Sequence, residues 1–290
     1  MMRIAFLGLG VMGASMAGHL QKKFPNIVVW NRTASRCDSL RDAGAEVASS
    51  PAAAAAKADV ICLCVSDTPD VEGVVFGEDG VFSTIRPGSL LVDFSTISAA
   101  GTEKFARKLA EKNCSWVDSP MSGGDVGARN AALTLMVGGA EGDFARVLPI
   151  LQTVGKNITH MGPVSFGQRT KLANQIAAIG TIISMGEALN FARESKMDLE
   201  KVLAVISSGA AGSWSLSNYG PRVLRGDWKP GFAAALMSKD MRLVVEALAG
   251  LDGDYSLVRR AAELYDKMVV EGQGNLGNHA IIRQLGWGDH

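Results

Sequence analysis

The sequence predicts an α/β protein with a doubly wound parallel sheet in its N-terminal part and an all-α domain in its C-terminal part, joined by a long interdomain helix. Two observations lead to this prediction. Short apolar runs alternate with helical patterns up to about residue 163, as in a parallel sheet whose strands are connected by helices. From residue 167 onward the apolar residues recur at helical spacing. We therefore expect one domain over residues 1–163 and a second over residues 164–290.

A glycine-rich loop follows the first predicted strand. Residues 3–7 form an apolar run that predicts a buried strand, and a helix is expected to continue through about Gln21. The loop between them has the pattern Gly-x-Gly-x-x-Gly and comprises Gly8, Leu9, Gly10, Val11, Met12 and Gly13. In this context the glycines allow a tight turn, a close approach of the backbone to a pyrophosphate and close packing of the helix on the strand. The pattern predicts a Rossmann-type domain that binds a dinucleotide with these six residues.

The end of the second predicted strand, over residues 27–30, indicates which dinucleotide is bound. NAD-binding domains usually place Asp or Glu here, where it accepts hydrogen bonds from the adenine ribose. This chain has Asn31, Arg32 and Thr33 instead. A guanidinium binds a phosphate through two parallel hydrogen bonds, so Arg32 predicts NADP (NADPH), with Asn31 and Thr33 as further donors. The alternative is that Arg32 is a solvated loop residue, in which case NAD is possible.

The alternation of strands and helices continues along the chain. The next predicted elements are a helix over residues 35–43, an Ala-rich helix from residue 51, a strand over 60–65, a helix after residue 69 and a strand over 90–93. Doubly wound sheets bind ligands at the C-terminal ends of their strands. Val65 and Ser66 at one strand end and Thr96 at the next are therefore predicted to contact the cofactor. Thr96 is also suited to cap the following helix, and the two roles are compatible.

A Ser-Gly-Gly turn comes after another predicted strand. Ser122, Gly123 and Gly124 offer a hydroxyl and consecutive backbone N–H groups. Such groups can form an anion-binding nest, which a carboxylate would fit. The alternative is a bend that only redirects the chain. Further strands are predicted over residues 133–139 and 158–161.

The long helix predicted over residues 167–195 carries polar groups in its first two turns. Lys171, Asn174 and Gln175 are three and four residues apart and so share one face. A lysine near a helix N-terminus opposes the helix dipole, so stability alone does not account for Lys171. The alternative is a core helix whose lysine is merely solvated. Further helices are predicted over residues 198–207, 233–249, 255–270 and 279–285.

Composition argues against several classes of partner. Lys and Arg together number 29, as do Asp and Glu, so nucleic acid and an anionic membrane are not expected partners. The most apolar run contains polar residues, and we do not expect a membrane-spanning helix. The chain starts directly with a strand, which predicts a cytoplasmic protein. The four cysteines and four histidines lack ligand spacing, and a metal site is not expected.

Taken together, the motifs resemble those of the β-hydroxyacid dehydrogenase family, which includes 3-hydroxyisobutyrate dehydrogenase, tartronate semialdehyde reductase and the glyoxylate/succinic semialdehyde reductases. The likeness covers essentially the whole chain. The matching motifs are residues 8–13 for the cofactor loop, 118–124 for substrate binding, 167–175 for catalysis and 239–240 for the cofactor-side lysine. Two positions depart from the family pattern. Ser165 stands where the first Gly of a G-x-G is usual, and Gln175 stands where a second Asn is usual.

The resemblance implies an NADP-dependent oxidoreductase that interconverts a small β-hydroxy acid and its semialdehyde. Lys171 would be the general acid/base, and Asn174 would be its orienting partner. The other implied site residues are Ser122, Gly123, Gly124 and Gln175 at the substrate, and Thr96 and Lys239 at the nicotinamide half of the cofactor. Family members are commonly dimers or tetramers, so a homodimer or homotetramer is expected.

Two other functions are considered. Imine reductases resemble the chain in residues 8–13 and 31–33, but that family does not use the lysine that stands here at position 171. A non-catalytic module that keeps the fold and binds the cofactor is the second alternative. Such relatives tend to lack the catalytic lysine and to carry extra recognition domains. Lys171 therefore favours the semialdehyde reductase.

Overall fold

A computed structural model describes residues 2–288 of the chain. The chain divides into two compact units, Met1–Lys171 and Leu172–His290. The first unit combines strands and helices, and the second is helical, which confirms the predicted fold class. The border between the units falls inside a helix, whereas the predicted border between residues 163 and 164 comes before that helix.

The first unit is built on a single sheet. Its strands are β1 (Ile4–Leu7), β2 (Val28–Trp30), β3 (Glu46–Val47), β4 (Val60–Leu63), β5 (Leu90–Asp93), β6 (Ser115–Asp118), β7 (Met121–Ser122), β8 (Leu133–Gly138) and β9 (Gly155–Gly162). They run in the order β3-β2-β1-β4-β5-β6-β8-β7, with β9 paired to β8. The sequence order reverses at β1, which lies between β2 and β4. This reversal is the switch point at which doubly wound sheets bind their ligands.

The central strands are buried on both faces. Every residue of β1, β4 and β5 is buried, which explains why they read as continuous apolar runs rather than alternating ones. Successive side chains still point to opposite faces of the sheet. Ile4 and Phe6 belong to one apolar cluster, and Ala5 and Leu7 belong to another. The two clusters form the core of this unit.

One edge of the sheet adds antiparallel pairs to the parallel sheet that the sequence predicts. β8 runs antiparallel to β6 and β7 but parallel to β9. The chain between β7 and β8 holds a helix of six residues, Gly124–Arg129, whereas the connection from β8 to β9 holds a helix of 14 residues, Glu141–Val154. Parallel neighbours require a long crossover, and a short connection reverses the chain direction.

The helices of the first unit cover the sheet. They are α1 (Val11–Lys23), α2 (Asp38–Asp42), α3 (Pro51–Ala55), α4 (Thr68–Phe76), α5 (Val81–Thr84), α6 (Ala99–Ala110), α7 (Gly124–Arg129) and α8 (Glu141–Val154), with a 3-10 helix over Ala34–Cys37. Side-chain oxygens cap three of them, since Ser50, Asp67 and Ser98 accept from backbone N–H groups at the starts of α3, α4 and α6. Where the sequence predicts one helix over residues 35–43, the structure has the 3-10 helix Ala34–Cys37 followed directly by α2.

Helix α9 (Phe166–Glu194) is the longest element, and its bounds lie within one residue of the prediction. By length and composition it could cross a membrane, a property that the sequence analysis did not expect. Core helices of soluble proteins meet the same criterion, and 44% of its most apolar window is buried. The apolar character has a local cause, because Ile179, Met185 and Leu189 are at most 1% exposed.

The second unit packs its helices around one apolar core. After α9 come α10 (Leu199–Ser208), α11 (Trp214–Asn218), α12 (Gly220–Leu224), α13 (Ala234–Ala247) and α14 (Ser256–Val270), with a 3-10 helix over Asn278–Leu285. The predicted helices match α10, α13 and α14 closely. Helices α11 and α12 were not predicted, because each spans five residues and is too short to show a period. Met241, Tyr265 and Met268 are completely buried at the centre of this core.

Candidate active site

The glycine loop between β1 and α1 has the shape that a pyrophosphate requires. Gly8 has a φ of 94°, and a Cβ built there would lie 2.2 Å from the carbonyl oxygen of Cys64. A Cβ at Gly13 would lie 2.0 Å from the carbonyl oxygen of Gly8. A Cβ at Gly10, by contrast, would have Arg36 Nη1 at 3.9 Å as its nearest neighbour. Gly8 and Gly13 are therefore required by the fold, whereas Gly10 leaves room for a ligand to approach the backbone.

The start of α1 supplies donors for an anion. Gly10 is the N-cap residue and has no side chain to occupy the first N–H groups of the helix. Val11 is 72% exposed, whereas Leu9 is 2% exposed and Met12 packs against the core. The loop therefore presents its backbone outward, and the side chains of Leu9 and Met12 anchor it. These groups fit the pyrophosphate of a dinucleotide.

Asn31 stabilises the glycine loop from the neighbouring strand end. Its Oδ1 accepts from the N–H of Leu9 at 2.8 Å, and its Nδ2 donates to the carbonyl oxygen of Thr33 at 2.9 Å. The side-chain amide thus bridges the loop after β1 and the loop after β2. From the sequence, Asn31 is predicted to donate to the adenosine phosphate; in the structure its side chain is bonded to the protein chain.

Two arginines lie beside this loop. The Arg32 side chain is 86% exposed, and its Nη1 lies 3.4 Å from Asp70 Oδ1. Ion pairs this exposed contribute little to stability, so Arg32 is available to an anionic ligand. Arg36, in the 3-10 helix, is not among the residues predicted from the sequence, although its Nη1 is the group that faces Gly10. The signal was present in the sequence, because a second guanidinium follows Arg32 by four residues.

The ends of β4 and β5 are hydrogen-bonded to each other. Ser95 Oγ accepts from the N–H of Val65 at 2.9 Å, and the N–H of Ser95 donates to Asp93 Oδ1 at 2.8 Å. Ser66 is exposed directly after Val65, and Thr96 is half-buried directly after Ser95. The structure thus brings the predicted cofactor residues of these two strand ends to one edge of the sheet.

The Ser-Gly-Gly turn depends on two glycines with positive φ. Ser122 is the last residue of β7 and pairs with Thr134 of β8. Gly123 and Gly124 follow with φ values of 126° and 60°, a combination that favours glycine. The turn contains the Ser122 hydroxyl and the backbone N–H groups of Gly123 and Gly124, although Gly124 also begins the short helix α7.

The start of α9 is anchored by a buried carboxylate. Asp118, at the end of β6, is fully buried and accepts from the N–H groups of Ser165 and Gln168, both at 2.8 Å. Burial raises the pKa of Asp118 above its ordinary value, and the hydrogen bonds from Ser165 and Gln168 oppose that rise. Lys171 lies one turn beyond Gln168 and is 7% exposed. No separate role for Asp118 is predicted from the sequence.

Ser165, the position at which the family resemblance implies a glycine, has left-handed backbone geometry. Its φ is 78°, which is uncommon for a residue with a side chain. Its Oγ donates to Glu103 at 2.8 Å, and Arg169 Nη2 donates to the same carboxylate at 3.0 Å. Both hydrogen bonds lower the pKa of Glu103, that from Ser165 the most. These bonds offset the unfavourable conformation that a glycine would adopt freely.

The remaining predicted site residues lie in the helical unit, where they form one hydrogen-bonded series. Asn174 Nδ2 donates to Gln175 Oε1 at 2.9 Å, and Gln175 Nε2 donates to Asp240 Oδ2. Lys239 Nζ lies 2.7 Å from the other oxygen of Asp240. Asp240 is 1% exposed. This carboxylate, which the sequence analysis mentioned only as the neighbour of Lys239, links all three predicted residues.

Two cysteines lie in or directly after β4, and the pKa of each thiol is raised. Cys62 is completely buried in β4, and burial raises the pKa of its thiol. Burial and the nearby Asp93 raise the pKa of Cys64 to about 12. Within residues 2–288, groups of three or more His, Cys, Asp or Glu side chains suited to a metal ion are absent.

Two family models together match almost the whole chain. Residues 3–162 match the NAD-binding domain of 6-phosphogluconate dehydrogenase. Residues 166–285 match the NAD-binding domain of NADP-dependent 3-hydroxyisobutyrate dehydrogenase. The chain belongs to the β-hydroxyacid dehydrogenase family. It is an NAD(P)-dependent oxidoreductase of the 3-hydroxyisobutyrate dehydrogenase and tartronate semialdehyde reductase type, which confirms the resemblance of the motifs.

Individual members of the β-hydroxyacid dehydrogenase family match over nearly their full length. A probable 3-hydroxyisobutyrate dehydrogenase-like 1 of Arabidopsis thaliana is 37% identical over 284 residues, which are 98% of this chain and 85% of the relative. The 2-hydroxy-3-oxopropionate reductase of Escherichia coli (strain K12) is 35% identical over 284 residues, 98% of this chain and 97% of the relative. The structure of 3-hydroxyisobutyrate dehydrogenase from Mycobacterium tuberculosis with L-serine is 29% identical, with a TM-score of 0.90 over 98% of this chain and 99% of that chain.

Proposed function

We propose that the protein reduces a small carboxylated semialdehyde to the β-hydroxy acid with NADPH, and catalyses the reverse oxidation, with Lys171 as the general acid/base. The observation that carries this proposal is the placement of Lys171. It is a buried lysine in the second turn of a helix whose first turn is bonded to the ends of β5 and β6. The glycine loop lies at the C-terminal end of β1, on the same edge of the parallel sheet.

The chemistry of the reaction accounts for a lysine at this position. NADPH, when bound, supplies the hydride that is added to the carbonyl carbon. The carbonyl oxygen then becomes an alkoxide and must take up a proton. The Lys171 ammonium would polarise the carbonyl bond and give this proton to the oxygen as the charge forms. In the oxidation, neutral Lys171 would remove the proton from the hydroxyl group.

The substrate carboxylate would bind the Ser-Gly-Gly turn. The Ser122 hydroxyl and the N–H groups of Gly123 and Gly124 are donors suited to an anion. Two relatives support this class of substrate. One carries the name 2-hydroxy-3-oxopropionate reductase, and the other was solved with L-serine, which is itself a small β-hydroxy acid.

The cofactor would be NADPH rather than NADH, although NAD is possible. An adenosine 2′-phosphate carries two negative charges and needs cationic donors near the second strand end. Arg32 is exposed there, and Arg36 faces Gly10. The description of the family model over residues 166–285, which names an NADP-dependent enzyme, supports this choice.

We further propose that the protein assembles as a homodimer or homotetramer. The helical unit leaves several large apolar side chains exposed, as a subunit interface would require. They are Phe191 at 70%, Val205 at 69%, Trp214 at 65% and Val270 at 86% exposure.

The first test is the initial rate of NADPH oxidation with a panel of aldehydes. The panel contains methylmalonate, succinic and tartronate semialdehydes and glyoxylate, with NADH run in parallel and a cyclic imine added. Lys171→Ala should lower kcat with the best aldehyde by about 10²- to 10⁴-fold, the usual contribution of a general acid, while the Kd for NADPH stays the same. Lys156→Ala, which changes an exposed lysine of the same unit, is the matched control.

Three outcomes would contradict the proposal. Undiminished turnover in Lys171→Ala would remove the lysine from the chemistry. Turnover of the imine alone would indicate an imine reductase. NADPH binding without turnover of any compound in the panel would favour a non-catalytic module.

A further inference from the structure

Gln168 lies completely buried on α9, three residues before Lys171, and its side-chain amide bonds to a loop far away in the sequence. Its Oε1 accepts from the N–H of Ile97 at 3.1 Å, and its Nε2 donates to the carbonyl oxygen of Ser95 at 2.8 Å. These two backbone groups stand on either side of Thr96. The amide therefore fixes the backbone on both sides of Thr96 through two hydrogen bonds.

The backbone of Gln168 is hydrogen-bonded as well as its side chain. The N–H of Gln168 donates to Asp118 at the end of β6. On the other side, Ser95 Oγ accepts from the N–H of Val65 at the end of β4. A hydrogen-bonded series thus extends from β4 through β5 to the first turn of α9 and on to β6, and its bonds to Gln168 are buried. Buried networks of this kind hold their members rigidly, because an unpaired buried polar group is costly.

The series joins the two segments that must act together in the proposed reaction. Thr96 is predicted to contact the nicotinamide half of the cofactor, and Lys171 is predicted to protonate the substrate oxygen. Hydride and proton arrive at adjacent atoms of one carbonyl group. Their donors must therefore be held at a set distance from each other, and Gln168 is the side chain that connects their segments.

We propose that Gln168 is a positioning residue, which sets the Thr96 loop relative to Lys171 and so aligns the hydride donor with the proton donor. This inference rests on the proposed function. It adds to that function a residue that touches neither substrate nor cofactor and acts through two backbone hydrogen bonds.

The test compares Gln168→Met and Gln168→Glu with the wild-type enzyme. Methionine has a similar length but makes neither bond, and kcat should fall about 10²-fold, as expected for a misplacement of about 1 Å. KM and the Kd for NADPH should change little, because the glycine loop and the Ser-Gly-Gly turn are untouched. Glutamate still accepts from Ile97, so Gln168→Glu should recover part of kcat. The primary isotope effect with NADPH deuterated at C4 should rise in both variants, since hydride transfer becomes slower.

Ser184→Ala is the control on the same helix, outside the segment assigned to catalysis. Its Oγ donates to the carbonyl oxygen of Gly180 at 2.8 Å, within α9 itself, so kcat and the isotope effect should stay at their wild-type values. Thermal unfolding of each variant shows that the measured enzyme is folded at the assay temperature. A loss of kcat in Ser184→Ala equal to that in Gln168→Met would overturn the proposal, and so would an unchanged kcat in Gln168→Met.

Hydrogen exchange provides a readout that is independent of activity. In the protein without cofactor, Gln168→Met should speed exchange of the peptide that contains residues 95–98, because Ile97 N–H loses its acceptor. Exchange over residues 4–23 should stay unchanged. Wild-type protein that binds NADPH without reducing any aldehyde would contradict the proposed function, while faster exchange at residues 95–98 would still support the connection. If the wild type is active but Gln168→Met changes neither the exchange at residues 95–98 nor kcat, the positioning role is contradicted and the proposed function is not.

Discussion

At the scale of single residues, Arg32 and Arg36 are the groups on which cofactor choice depends. Arg32 is exposed and bonds to Asp70, which is a weak surface pair. Arg36 faces Gly10, the glycine whose absent side chain leaves the backbone open to a ligand. Because Asn31 is bonded to Leu9 and Thr33, we expect the two guanidinium groups rather than its side chain to bind an adenosine 2′-phosphate.

Arg32→Ala should therefore lower kcat/KM for NADPH and leave that for NADH nearly unchanged. A hydrogen bond to a charged group contributes about 1.5–3 kcal/mol, which corresponds to a loss of roughly 10- to 100-fold for NADPH. The double variant Arg32→Ala, Arg36→Ala should lose more. The measurement is the ratio of kcat/KM for the two cofactors.

Arg41→Ala is the matched control, because Arg41 is a half-exposed arginine of the adjacent helix α2 that pairs with Asp38. Its ratio should equal the wild-type ratio. If the ratio remains constant in all three variants, the argument from the 2′-phosphate is wrong.

At the scale of elements, the 3-10 helix Asn278–Leu285 is held in the helical unit by a stack of rings. The ring of His279 stacks on Tyr219 at a centroid distance of 4.6 Å and on Trp228 at 5.6 Å. His279 is completely buried, and its Nε2 lies 2.8 Å from the carbonyl oxygen of Asp227. Burial lowers the pKa of His279 below its ordinary value of 6.5, against the opposing hydrogen bond to Asp227.

This burial makes the helical unit sensitive to acid. The unfolded chain binds a proton at His279 more readily than the folded chain does. The stability that neutral, buried His279 contributes is therefore fully present above about pH 6.5. It is lost as the pH falls toward and through the lower pKa of the folded state. His279→Phe keeps a ring in the stack but cannot be protonated. Its free energy of unfolding should therefore depend less on pH between about pH 7 and pH 5.

The measurement is urea unfolding at several pH values, followed by tryptophan fluorescence. The variant will be less stable at neutral pH, because it lacks the hydrogen bond to Asp227, and only the slope against pH tests the prediction. Equal slopes in the wild type and the variant would show that His279 does not titrate on unfolding.

At the scale of the whole molecule, the proposed assembly is based on large apolar side chains that remain exposed in the single chain. The exposed side chains Phe191, Val205 and Val270 would be costly to leave in water. Light scattering coupled to size-exclusion chromatography should give a mass of two or four times the 30.5 kDa of one chain. Replacing Phe191 by Glu, or Val205 by Glu, should lower that mass. A mass of 30.5 kDa for the wild type would contradict the proposed assembly.

Most of the fold can be predicted from the amino-acid sequence, because the features concerned are local. The period of α9, the buried strands β1, β4 and β5, and the glycine loop each depend on neighbours a few residues away in the chain. The need for glycine at Gly13 is an example, because a Cβ there would clash with the carbonyl oxygen of Gly8 in the same turn. The candidate residues Lys171 and Arg32 could likewise be named from their position beside these elements.

The hydrogen bonds between groups that are distant in the sequence are known from the folded structure and could not be predicted. Gln168 is 73 residues from Ser95 and 50 from Asp118, and Gln175 is 65 from Asp240. A local pattern carries no signal for such pairs, because they depend on the order of the strands and on where each strand ends. For this reason the roles of Asp118, Gln168 and Asp240 could not be assigned from the sequence. The antiparallel edge at β8 has the same cause, since the direction of a strand is set by the length and path of the connection that leads to it.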